Sequence, residues 1–296
     1  MLGKLKREGR AARPFPFTLS PAAWFMLPAA LVLALTTIYP AIYSVVMSFF
    51  DWNWGNRFNF VGFGNYTAAF QSAEFWSVMG QTFTFALGAT TLEVLLGLGL
   101  AVVVNRLRFG VNLIRTLLLT PLMVSGIIVA IMSRVMLDPL LGIMNYLLSL
   151  VGLPPSSFLG SSNTVLATII GIDVWWQTAF GFIILLAGLQ SLPQEPLEAA
   201  QVDGASAWQV FWHIKLPLLQ PVLFTVIIFR TIDTLKVFDI VFGTTSAGLA
   251  DVMQTFAYRT AFSFQQMSRG MTYMVIFSVI ILALCLIYMR LNRAED

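Results

Sequence analysis

Six apolar runs, each about as long as a bilayer is thick, leave this chain little choice of architecture. They cover residues 22–50, 78–105, 112–136, 165–190, 219–242 and 270–289. Crossing about 30 Å of hydrocarbon takes about 20 residues at a helical rise of about 1.5 Å. Lipid offers no partners to backbone N–H and C=O groups, so each run must satisfy its own and is read as a helix. The expected fold is an all-α membrane protein with six transmembrane helices.

Composition excludes the soluble alternatives. Hydrophobic residues make up 58% of the chain and charged ones 10%, and mean hydropathy is +0.81, far from soluble-domain averages. A net charge of +3 could suit nucleic acid, but the 17 basic residues are scattered between the runs and form no stripe. Cys285, the only cysteine, lies inside an apolar run, so neither a disulfide framework nor a Cys-based metal site is available.

The basic residues orient the chain. With the N-terminus inside, Lys4, Lys6, Arg7, Arg10, Arg13, Arg106, Arg108, Arg115, Lys215, Arg290 and Arg293 fall on the cytoplasmic side, and only Arg57, Arg134, Arg259 and Arg269 on the other. The asymmetry places both termini in the cytoplasm. The resulting plan has a basic cytoplasmic tail over 1–21, a first span over 22–50, an extracytoplasmic aromatic loop over 51–77, a core over 78–289 and a short tail over 290–296. The first run is too long for a signal-peptide h-region and lacks a small-residue cleavage site, so it reads as a retained span.

The outer loops have distinct characters. Trp52, Trp54, Phe58, Phe60, Phe63, Tyr66 and Trp76 suit an ordered loop at the membrane-water interface, either to dock an external binding protein or to anchor the first two helices. Within 138–163, apolar residues from Leu141 to Leu148 recur at helical spacing and predict a short surface helix.

One polar segment, residues 191–217, stands apart. Leu197 to Val202 predicts a short helix that begins around Pro193 and Pro196 and stops near Gly204, where a residue without Cβ suits a positive φ. Ala199 and Ala200 offer a partner close approach to backbone, and Glu198 offers it a carboxylate. Trp208, Phe211, Trp212 and Ile214 are expected to pack this elbow against the chain's own helix ends. Pro217 and Pro221 are expected to stop and restart the backbone before the fifth span.

Glu198, Ala199, Ala200, Gly204, Ile214, Leu216 and Pro217, with Asp203 before the glycine, closely resemble the cytoplasmic coupling signature of ABC importer permeases. Phe60–Tyr66, Phe75–Trp76, Leu189–Pro193, Phe229–Asp233, Val237–Asp239 and Ala257–Phe262 are similar to the carbohydrate-uptake permeases of that family, of the maltose and glycerol-3-phosphate type. Gly243–Gly248 departs from the Thr-Gly-Gly-Gly-Pro stretch of many relatives. The resemblance implies a type I ABC importer transmembrane domain in a bacterial or archaeal cytoplasmic membrane, whose elbow inserts into a groove on an ATPase subunit. It also implies a second permease subunit, two ATP-binding subunits carrying ATP and Mg, an extracytoplasmic solute-binding protein, and a sugar, polyol or glycerophospho-type solute. No cofactor is expected on this chain.

Ionisable groups inside a membrane normally face an interior or a water-filled path. Asp173, Trp175, Trp176, Gln177 and Thr178 on the fourth span combine polar partners for hydroxyls with indole faces for sugar C–H groups, and equally suit a belt of interfacial tryptophans with one buried acid. Arg230, Asp233, Lys236 and Asp239 recur at i+3 steps on the fifth and suit either a neutralising ladder or a cavity lining. Arg134, Asp138 and Glu93 are weaker candidates, and Glu93 also suits a pair with another helix. No P-loop, His-Glu-x-x-His or Gly-x-Ser-x-Gly pattern is present, and His213 is the only histidine. The chain therefore reads as a transporter subunit, not an enzyme. Two other readings use the same charges: an ion-coupled secondary transporter through Glu93, Asp173 or the fifth-span groups, and an intramembrane enzyme with Asp173 and Asp233 as a carboxylate pair.

Overall fold

The computed structural model describes residues 21–55, 58–107, 109–245 and 248–293. Lys4, Lys6, Arg7, Arg10, Arg13, Arg57, Arg108, Ser246 and Ala247, and the side chain of Arg293, lie outside what it describes. Among the described residues, five helices are long and apolar enough to cross a membrane, and a bent pair makes a sixth crossing if it counts as one span.

The chain divides into two units at Ser44–Val45. Helix α1, Trp24–Met47, contains a π-turn at Ala34–Ile38. It is apolar around its circumference, as a helix facing lipid must be.

In the second unit the described parts of the aromatic loop are held by strand pairing and ring stacking. Strands β1 (Phe50–Asp51) and β2 (Asn59–Phe60) pair antiparallel, a small ribbon that the all-helical expectation omits. Trp52 stacks on Phe58 at 5.6 Å. On α2, Gly64–Gln71, the Asn65 amide donates to the carbonyls of Ser48 and Phe50 at 2.9 and 2.8 Å. The loop is thereby tied to the end of the first span.

Helix α3, Ala73–Asn105, starts five residues earlier than its apolar run because the Ser72 hydroxyl accepts from the Phe75 N–H and caps it. Helices α4 (Val111–Met123) and α5 (Gly126–Met136) replace the continuous third helix expected over 112–136, and meet at 93°. Pro121 opens a tight 3-10 turn, and Val124 and Ser125 are extended. The short surface helix follows as α6, Ile143–Leu150.

Helix α7, Val165–Gln190, packs along α3 for much of their length. The approach is close because Gly97 has no side chain: a Cβ there would lie 3.0 Å from the Phe182 amide nitrogen. Helix α8, Gln194–Val202, leads to α9, Ala207–Leu235, which packs on both α3 and α7.

The fifth span is therefore not the expected 219–242. It begins twelve residues sooner and ends seven sooner, and a separate short helix, α10, covers Asp239–Thr244. No glycine or proline marks the break at Lys236–Phe238. Ile240 and Val241 are buried with Val129 and Ile169 in one apolar cluster, against which the partly buried Val237 packs, and this packing accounts for it. Helices α11 (Met253–Tyr258) and α12 (Met267–Arg293) complete the unit. Arg259, just past α11, pairs with Asp251.

Candidate functional site

The polar elbow is a helix, a glycine turn and a second helix, each end closed by its own hydrogen bonds. Gln194 follows Pro193, whose extended φ of −60° and ψ of 135° set the entry to α8. At the other end Gly204 takes φ +78°. Its N–H donates to the Gln201 carbonyl at 3.1 Å, and the Ala205 N–H reaches back to the Ala200 carbonyl at 2.9 Å. These two bonds form a Schellman motif, and packing of Ala205 on Ala200 completes it. Two residues later Ser206 starts α9 with a capping box: its hydroxyl accepts from the Gln209 N–H, and its own N–H donates to the Gln209 side chain.

A miniature core of Leu197, Ala200 and Val210, flanked by Ala205 and Ile214, joins the two helices. Two sequence expectations are corrected here. Ala200 faces inward, leaving Glu198, Ala199, Asp203 and Gly204 as the exposed set, with Val202, 88% exposed, at the tip. Trp208 and Trp212 are exposed and pack on each other and on Phe211 instead of on other helix ends. Their size favoured burial, but the small elbow has no room to enclose them. Glu198 has no ion-pair partner among the described residues.

The prolines do not interrupt the chain either. A π-turn over Phe211–Lys215 carries the Leu216 N–H to the Phe211 carbonyl, and Leu216 and Pro217 continue the helix. The wider turn accommodates Pro217, which has no N–H to give. The elbow is thus continuous with a 29-residue helix, about 43 Å long at 1.5 Å per residue.

Far along that helix lies the second feature. Arg230 is 2% exposed and meets Glu93 of α3, itself fully buried, through a forked contact: Nε to Oε2 at 2.5 Å and Nη2 to Oε1 at 2.9 Å. Nη1 donates to Asp233 Oδ2 at 2.7 Å, and Nη2 approaches Asp173 Oδ2 of α7 at 3.4 Å. One guanidinium thus joins three helices and three carboxylates. The regular i+3 ladder is not formed, because Lys236 caps the end of α9 and Asp239 begins α10.

Beside the cluster is a cavity of about 230 Å³, lined by Asp173, Trp176, Gln177, Arg230, Asp233, Lys236 and Asp239 among others. Trp176 has a structural duty as well. Its Nε1–H donates at 3.1 Å to the Val124 carbonyl, a group left free where α4 and α5 part. The remaining candidates lie elsewhere. Trp175 is 59% exposed and borders a separate apolar groove, and the Thr178 hydroxyl donates to the Val174 carbonyl of its own helix. Arg134 is exposed in the last turn of α5. Asp138 accepts the N–H groups of Leu140 and Leu141, both at 2.9 Å, which hold its carboxyl below the usual range.

The Glu93–Arg230 fork and the Trp176–Val124 bond are not visible in local sequence, since 137 and 52 residues separate the partners. The available signal was general: a lone carboxylate in an apolar run needs a cation from elsewhere.

Residues 93–296 match the family of binding-protein-dependent transport system inner membrane components. The chain belongs to that family. This permease is 35% identical over 237 residues to the trehalose/maltose transport system permease protein MalF of Thermococcus litoralis, covering 79% of this chain and 80% of the relative. It is 32% identical over 285 residues to the sulfoquinovosyl glycerol transport system permease protein SmoG of Agrobacterium fabrum, covering 93% and 91%. Its fold is similar to a subunit of a bacterial alginate ABC transporter solved with an alginate-bound periplasmic protein, with a TM-score of 0.80, 24% identity and coverage of 93% and 94%.

The chain is therefore a multi-pass permease subunit of an ABC importer of the binding-protein-dependent class, with the type I importer fold, and ATP hydrolysis belongs to a separate subunit. The readings as an ion-coupled carrier and as a carboxylate enzyme give way to this assignment.

Proposed function

We propose that this permease forms one half of a heterodimeric pore, moving a sugar or similar polyhydroxy solute inward while two ATP-binding subunits drive it. The observation that carries the reading is that the second helix of the elbow is the start of α9, the same continuous helix that bears the cavity-lining Arg230 and Asp233. Twenty-three residues separate Ala207 from Arg230, about 35 Å at helical rise.

In this reading the elbow lies in the cytoplasm, as do both termini, following the distribution of basic residues. Glu198, Ala199, Asp203 and Gly204 meet an ATPase groove, while Ile214, Leu216 and Pro217 transmit its movement into α9. Nucleotide-driven closure of the ATPases tilts the elbow, and Arg230 carries α3 and α7 along with α9. The cavity then opens to one side of the membrane or the other, which is alternating access. An extracytoplasmic binding protein delivers the solute.

The cargo class rests on the cavity chemistry and the relatives. Carboxylates, the Gln177 amide and an indole face suit hydroxyl groups and C–H faces. The relatives named for trehalose, maltose and sulfoquinovosyl glycerol are permeases for carbohydrate-type solutes. Polyols and glycerophospho-type solutes share that hydroxyl chemistry.

Purifying the chain from its native membrane tests the proposal. Co-isolation of an ATP-binding subunit and a second permease, with hydrolysis stimulated by a sugar-loaded receptor, is the expected result. Transport by this chain alone would overturn it.

A further inference from the structure

Behind the elbow lies a second cavity, of about 340 Å³, separate from the Arg230 cluster. Its walls come from the end of α3, the end of α7, both elbow helices and the π-turn. Two of its lining side chains are cations, Arg106 and Lys215, and three are amides, Asn105, Gln194 and Gln201; among the described residues no carboxylate lines it. Neither cation has an ion-pair partner among the described residues. The rest of the lining is mainly apolar, with Leu189, Leu197 and Phe211 among it.

Such a lining has a defined preference. Two unneutralised cations beside neutral amides attract an anion, and the amides and cations supply only N–H donors at their nitrogens, which suit phosphoryl oxygens. The apolar wall suits a ligand with a greasy portion. Position narrows the class further, because Arg106 ends the second span and Lys215 precedes the apolar part of the fifth. On the cytoplasmic orientation proposed above, both stand at the height of the inner-leaflet headgroups, where anionic lipid is concentrated.

We propose that this cavity binds an anionic phosphoryl group, held by Arg106 and Lys215, between the end of α3 and the elbow. An anionic phospholipid headgroup and free phosphate share this chemistry. Occupancy braces the elbow against α3, so the bound anion sets how stiffly ATPase movement passes into α9.

The test uses the complete transporter with its ATPase and partner permease. Wild type, Arg106→Gln/Lys215→Gln, the single variant Arg106→Gln and the charge-keeping Arg106→Lys/Lys215→Arg are placed in nanodiscs of phosphatidylcholine with and without phosphatidylglycerol. Native mass spectrometry reads retained phosphatidylglycerol, and melting of the phosphatidylcholine samples is followed against inorganic phosphate. Loss of both cations should weaken retention about tenfold, as expected for charge-assisted bonds, and the charge-keeping variant should restore it. Stabilisation by phosphate alone, lost in the neutral variants, identifies free phosphate as the occupant of the same site. Equal phosphatidylglycerol retention and equal phosphate response in wild type, the double variant and Arg106→Gln would overturn the proposal. Arg106→Gln, at an exposed position, keeps the comparison available where the double variant fails to assemble.

Discussion

Arg230 and Glu93 meet in a forked ion pair buried between α9 and α3, at 2.5 and 2.9 Å, across 137 residues of chain. A pair in such a place contributes less through its attraction than through the penalty of breaking it. Left alone, either charge is stranded in a dry interior. The pair therefore fixes the register of α9 against α3 while Asp173 does so against α7.

Arg230→Met is expected to lower the stability of the assembled permease by about 3–5 kcal/mol, because Glu93 and Asp173 are then buried without their cation. Adding Glu93→Met should recover a large part of that loss. Thermal melting of the purified complex measures both, and a single variant as stable as wild type would remove the cluster from the framework.

Gly204→Val places a β-branched residue at φ +78°, at a cost of about 1–2 kcal/mol. The elbow's helices then meet at a changed angle. ATP hydrolysis should persist in the complex while solute uptake falls at least about tenfold, equivalent to about 1.4 kcal/mol of lost coupling. Simultaneous assays of uptake and hydrolysis in proteoliposomes distinguish this from failed assembly.

Trp175 and Trp176 are neighbours in sequence with different surroundings. Trp176→Phe removes the donor to the Val124 carbonyl and should destabilise the bend by about 1–3 kcal/mol, and Gln177→Ala should raise the solute concentration that half-stimulates ATPase. Trp175→Ala should leave that concentration unchanged. A shift with Trp175→Ala as large as that with Gln177→Ala would place the solute elsewhere.

Asp138 anchors the turn before α6 with a carboxyl held below its usual range by two backbone N–H groups. Since its folded pKa is depressed, this contribution is present above the unfolded value of about 3.9 and is lost as pH falls through the lower folded value. Amide exchange of Leu140 and Leu141, corrected for intrinsic rates, should thus show constant protection from about pH 5 to 8. Asp138→Ala should abolish that protection at every pH.

Legibility in the sequence followed the range of the interactions. The fourth run, 165–190, coincides with α7 because an apolar stretch with polar flanks contains the information for one straight helix. The elbow was equally readable, as Pro193 and Gly204 are local turn chemistry. The third run concealed a 93° bend, since the carbonyl freed there is satisfied by Trp176 from another span. Arg230 through Asp239 read as one helical stripe, yet burial of Ile240 and Val241, with Val237 packed beside them, ends the helix within it. Ala199 and Ala200 are both expected to face a partner, yet only Ala199 is exposed; Glu198, Ala199 and Ala200 give no local sign of which faces Val210.

The proposed drive of this permease by an ATPase through the elbow is reported most directly by the exposed tip residue Val202. In a chain with Cys285 replaced by Ser, Val202→Cys should form a cross-link to a cysteine in the groove of the ATP-binding subunit, with a yield that changes when nucleotide is added. Solute uptake that proceeds normally while no position on the ATPase cross-links to Val202→Cys in any nucleotide state would contradict the account.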